Sequence, residues 1–191
     1  VLLITAGIIA GCRNSDEGAV TENTARFTKK GEITVVSVEP FDESLYSKRE
    51  LLDLIETSIK KAGASDVSME SLKVDDNVAT LVMNYVSSDA FCRFNEGVDM
   101  FYGTCSQAAA QGYDISPLYG QPSAVRSSRI MTQGRMTELA DNLLIYVTVP
   151  QVLELPSPAL YVTPNVRLGK DSTAVLASSV SAAEPAILIL Q

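Results

Sequence analysis

Apolar and polar positions alternate over residues 32–39, EITVVSVE, and this β-branched run predicts a strand that Pro40 stops. The period then changes. Leu51, Leu52, Leu54, Ile55, Ile59 and Ala62 recur at helical spacing and form one apolar stripe. Ser47 and Glu50 stand three residues apart as a capping box, with Tyr46 and Leu51 at the two staple positions. Gly63 follows as a helix-ending residue, and Lys60 and Lys61 lie where the helix dipole favours cations. Two strands, near 67–74 and 78–87, flank Asp75-Asp76-Asn77, a tight-turn sequence that predicts a hairpin.

Beyond the hairpin the elements shorten. Ser88 or Asp89 caps a helix over 89–96, and 98–103 reads as a strand or an extended linker. Thr104 caps a second short helix that Gly112 ends. Residues 113–135 are weakly patterned and read as a long surface connection. The remainder predicts strands at 143–149, 151–155, 159–162, 165–168, 173–178 and 186–190, punctuated by four prolines. Strict βαβ alternation is absent, which disfavours a doubly wound parallel sheet. The expected fold class is α+β: a mostly antiparallel sheet with one long and two short helices packed on one face.

The N-terminus has a different character. Residues 1–11, VLLITAGIIAG, carry no charge and would reach about 16 Å as a helix, half a bilayer core. That is too short to span and fits the apolar region of a signal peptide, with its basic start missing from the chain as given. Ile9-Ala10-Gly11-Cys12 resembles the lipobox of bacterial lipoproteins: an aliphatic residue, two small ones, then the cysteine that becomes the new N-terminus. The resemblance implies cleavage between Gly11 and Cys12 and lipidation of Cys12 by two or three acyl chains. Two chains give stable anchoring, at about 0.8 kcal/mol per buried CH₂. Residues 12–31 are polar and aperiodic and read as a flexible tether, leaving 32–191 as a single α+β domain.

Charge and composition narrow the function. The 191 residues carry a net charge of −8, and the +1 of residues 13–31 leaves −9 on the expected domain. Such a balance argues against nucleic-acid partners, which call for a basic stripe. The chain has no histidine, so Ser-His-Asp and Cys-His catalysis and His-based zinc or haem sites are excluded. Two further cysteines are too few soft ligands for a metal centre, and no cofactor motif occurs. Cys92 and Cys105 either close a loop of about 14 residues as a disulfide, worth roughly 3 kcal/mol, or stay buried as free thiols.

Candidate chemistry is sparse. Ser58 and Lys61 match the serine-lysine spacing of penicillin-binding enzymes, without the partner motifs S-D-N and K-T-G, and at a helix end where lysines ordinarily face solvent. Asp99, just before Met100-Phe101-Tyr102, is the acid nearest an aromatic segment. Tyr85, Phe94, Phe101, Tyr102, Tyr113 and Tyr119 crowd into 35 residues and could line a groove for sugar or peptide. Arg126, Arg129 and Arg135 form the basic cluster.

Several segments together resemble a group of uncharacterised lipoproteins from Gram-positive gut bacteria, across about residues 33–168. They are SKRELLDLIETSIKKAG, the hairpin and following Phe94-Asn95 pair of LKVDDNVATLVMNYVSSDAFCRFN, Gly103-Thr104 before an Ala-rich helix, Gly112-Tyr113-Asp114, and ALYVTPNVRL. The resemblance implies a surface-anchored extracytoplasmic domain and brings no catalytic residues; the two cysteines fall outside its pattern. The expectation is therefore a domain held at the cell membrane by lipid, on its extracytoplasmic face, binding a protein, peptide or glycan. The rival is an extracytoplasmic hydrolase using carboxylates or the Ser58–Lys61 pair.

Overall fold

A computed structural model of the chain describes residues 22–125, 128–170 and 172–191. The first element, β1 (Thr24–Phe27), lies inside the stretch expected to be tether. It pairs antiparallel with β2 (Ile33–Pro40) and parallel with a later strand, and Ala25 and Phe27 are buried. A four-residue strand offers two inward side chains, here an alanine and one aromatic, while Arg26 faces outward to Glu154. That is too little alternation to read locally, so the fold begins some eight residues earlier than the expected boundary at 32. The turn needs Gly31: its φ is 90°, and a Cβ there would sit 3.2 Å from the Tyr102 ring.

The long helix α1 (Lys48–Ala62) carries the expected capping box, with the Glu50 N–H donating to Ser47 Oγ (3.2 Å) and the Ser47 N–H to Glu50 Oε2 (3.0 Å). Gly63 ends it with φ 108°, its N–H donating to the Ile59 carbonyl. Next come β3 (Val67–Asp75) and β4 (Val78–Tyr85), a hairpin closed by Asp76 (φ 47°) and Asn77 (φ 60°). Two left-handed residues make a type I′ turn, whose twist matches that of the strands.

Helix α2 (Ser88–Phe94) is capped by Ser87 and not by Ser88 or Asp89. Ser88 is buried instead, its hydroxyl accepting the Tyr102 N–H at 3.2 Å. Strand β5 (Met100–Thr104) leads into α3 (Cys105–Ala110) through a second capping box, Thr104 with Gln107. The segment 113–135 corrects the surface-connection reading. It contains a 3₁₀ turn (Ser116–Leu118) and the start of α4 (Gln133–Glu138), and Leu118 and Met131 are fully buried. Its inward side chains are isolated from one another along the chain, so no period announces them. The last six strands are β6 (Leu143–Val147), β7 (Val152–Glu154), β8 (Ala159–Val162), β9 (Val166–Leu168), β10 (Thr173–Leu176) and β11 (Ala186–Leu190).

The strands form two sheets and not one. The larger runs β3-β4-β2-β1-β7-β10-β9, antiparallel except at β1–β7; the smaller runs β5-β6-β11-β8, antiparallel throughout. The class is α+β with mostly antiparallel sheets, and the described residues hold four α-helices where three were expected. Between the sheets, Ile145, Val147 and Leu188 join Ala25, Phe27, Ile33 and Leu153 in one core. The other face of the smaller sheet, including Leu144, Ile187 and Ile189, packs with Ala108, Leu118, Met131 and Met136 in a second. Strand β11 is buried along its whole length, which explains its unbroken apolar sequence AILIL.

Candidate functional site

Two concave features flank the β2–β4 pair. At the end where Ile33 pairs with Tyr85 and Tyr85 with Val67, the β1–β2 turn and the α1–β3 loop border an open groove of about 280 Å³. Its lining sets polar groups, from Thr28, Glu32, Thr34, Ser65, Asp66, Ser68 and Asn84, beside comparable apolar surface from Ile33, Val67, Tyr85 and Val86. These groups hold one another in place. Thr34 Oγ1 donates to Asn84 Oδ1 (2.7 Å), and Asn84 Nδ2 donates to Glu70 Oε2 (3.1 Å). Thr28 Oγ1 donates to Glu32 (3.2 Å) and Ser65 Oγ to Asp66 (2.9 Å), while Arg93 reaches Asp66 Oδ2 at 2.6 Å. The result is a shelf of hydroxyl, amide and carboxylate groups, suited to a polar ligand rich in hydroxyls or amides.

The second feature lies on the inward face of the larger sheet, between α2 and residues 149–151. Val35, Leu81, Met83, Phe91 and Phe94 line it, with Asn23, Glu39 and Gln151 at its rim, and it has room for about 30 Å³. That is the space of a water, not of an organic ligand. The amide Nε2 of Gln151 is buried there without a hydrogen-bond partner. Tyr85 packs edge-on against Phe91 (5.2 Å) and Phe94 (5.8 Å), and its hydroxyl accepts from Asn95 Nδ2 at 3.4 Å. Burial pushes the Tyr85 phenol up to about 12.

The six aromatics expected to share a groove are divided. Tyr85 and Phe94 line the small cleft, and Tyr102 stacks on Phe27 at 5.6 Å. Phe101, Tyr113 and Tyr119 belong to the second core, where Phe101 and Tyr113 rings lie 4.8 Å apart. The cause is the strand period: Phe101 and Tyr102 are neighbours on β5 and so point to opposite faces. The aromatics therefore divide between the two cores, Tyr85, Phe94 and Tyr102 with the first and Phe101, Tyr113 and Tyr119 with the second, and do not share one groove. The polar groove was missed because its hydroxyls come from four separated segments, each an unremarkable surface sequence.

Cys92 and Cys105 are free thiols and not a disulfide. Cys92 Sγ donates to the Met100 carbonyl and accepts its N–H, both at 3.3 Å, and burial pushes this thiol upward. Cys105 is buried at the start of α3, and its pKa rises to about 11. The Ser58–Lys61 pairing is not formed: Ser58 Oγ donates to the Leu54 carbonyl (2.9 Å), and Lys61 pairs with Glu96. Asp99 is exposed, with its backbone tied to Thr148. Arg135 pairs with Glu138, and Tyr161 and Glu138 both hold its guanidinium in the charged form. Gly11, Cys12 and Arg126 lie outside the described residues. Among the described residues no three potential metal-ligating side chains gather, and no helix is long and apolar enough to cross a membrane.

No protein-family model matches the chain, and comparison with curated proteins and with solved structures finds no match to either.

Proposed function

We propose that this protein is a lipid-anchored extracytoplasmic domain of the cell envelope that works by binding a peptide, protein or glycan. The observation that carries the reading is Ile9-Ala10-Gly11-Cys12 directly after an uncharged apolar run. Cleavage before Cys12 and acylation of its thiol attach the chain to the membrane, and two acyl chains hold it there. Residues 13–23 then link Cys12 to β1; fully extended they reach at most about 40 Å.

The polar groove supports a binding role. It is open, several of its donors and acceptors are pre-positioned by their own hydrogen bonds, and its size approaches that of small-ligand sites. It also lies at the end of β2 away from the link to Cys12, so the anchor leaves it uncovered. Asn23, which follows the link, bonds to Val38 and Glu39, while the groove forms around Ile33 and Thr34. Metabolic labelling with a palmitate analogue tests the anchor. The protein takes up label, and Cys12→Ala abolishes it; label that persists in the variant refutes attachment at Cys12.

A further inference from the structure

We propose that residues 41–46, the loop between β2 and α1, form a second membrane contact that lays one end of the domain against the lipid holding Cys12. The proposal rests on the anchored reading above. Asn23 Oδ1 accepts the Val38 N–H (2.7 Å) and Asn23 Nδ2 donates to Glu39 (3.1 Å). The chain arriving from Cys12 thus joins the fold beside the last residues of β2, and the loop leaves from that same end. Leu45 and Tyr46 are the most exposed large apolar side chains among the described residues, at 71% and 63%.

The loop is a formed structure. The Asp42 carbonyl accepts the N–H groups of both Leu45 and Tyr46 (3.1 Å each), and the Asp42 carboxylate accepts the Ser44 N–H and hydroxyl. The Phe41 N–H donates to the Asn77 carbonyl at 2.7 Å, tying the loop to the β3–β4 turn. Exposed Leu45 therefore presents apolar surface from a fixed frame, and Tyr46 adds a ring with a polar tip, the pairing favoured at membrane interfaces.

The short link supplies what two side chains lack in affinity. Held within about 40 Å of the lipid, the loop meets the surface at high effective concentration, so a weak contact suffices. The charges at this end include Glu22, Glu39, Asp42, Glu43, Glu50, Asp75 and Asp76 against Lys48 and Arg49, so anionic headgroups give no attraction. The contact is apolar insertion into an uncharged interface.

The chain has no tryptophan, so one substitution creates a unique reporter. The full lipidated chain carrying Tyr46→Trp is placed in phosphatidylcholine vesicles with brominated acyl chains. Its palmitate-analogue label is read in the same sample. Val86→Trp is the control, at an exposed position past the far end of β4, about 25 Å away. With label present, Tyr46→Trp emission falls about twofold and shifts to the blue, as insertion of 5–10 Å requires, while Val86→Trp emission is unchanged. Label present with neither reporter quenched, as when the loop instead faces a protein partner, overturns the second contact and leaves the anchor standing. Both reporters quenched alike overturns the orientation. Absence of label overturns the anchor, and this inference with it.

Discussion

Tyr85 ends β4 with its ring against Phe91 and Phe94 and its hydroxyl on Asn95, and it connects chemistry to stability. Its phenol ionises near pH 12 in the folded chain, against an ordinary value of 10. Between those values the folded state keeps a proton that the unfolded state releases. Stability is complete below pH 10 and falls as pH rises through this window. The buried Cys105 thiol acts in the same sense between its ordinary 9 and about 11. Tyr85→Phe keeps the ring and removes the phenol. Urea unfolding at pH 9 and pH 11 is expected to show the variant losing about 1 kcal/mol less than the parent over that interval. Parallel losses in the two proteins would show that Tyr85 ionises as it does in water. That Tyr85 is apolar and inward was legible from its alternating strand. Which rings it meets was not, because α2 is placed by tertiary packing.

Among the elements, those whose ends are chemically marked were the legible ones. Ser47 with Glu50 fixes one helix start, Thr104 with Gln107 another, and Asp76-Asn77 supplies the two positive φ values that a tight hairpin needs. Strand β1 had no such mark. It is four residues long, contains an outward arginine, and depends on partners at both edges, one of them β7 more than a hundred residues away. Its place inside the larger sheet gives a direct test. A chain beginning at Glu32 loses β1 and breaks the β2–β1–β7 connection, exposing two new sheet edges. Burial of Phe27 alone is worth about 3–5 kcal/mol by analogy with Phe-to-Ala changes, a large share of a domain's stability. The shortened chain is expected to lose cooperative thermal unfolding, which a chain beginning at Thr21 retains. Equal melting of the two would mean that residues 22–31 are tether after all.

At the scale of the whole molecule, moving the boundary changes the electrostatics. Arg26, Lys29 and Lys30 pass from the tether to the fold, so the folded part carries −6 where −9 was expected, and residues 13–23 carry −2 where the longer tether had +1. The stacking of two sheets was not legible, since it depends on pairings such as β1 with β7 and β5 with β6 that leave no local trace. The polar groove shares that origin: Thr28, Ser65 and Asn84 meet through sheet order alone. The molecule that results has polarity along β2. Asn23 and the Leu45–Tyr46 loop lie toward one end, and the groove lies at the other. The orientation proposed for it at a membrane rests on the proposed anchor at Cys12. The most direct test is mass spectrometry of the N-terminal peptide from the membrane fraction of cells expressing the chain behind a complete signal sequence. The predicted result is a peptide that begins at Cys12, lacks residues 1–11 and carries diacylglyceryl on the thiol; a membrane-associated chain that retains residues 1–11, or whose Cys12 is unmodified, would contradict it.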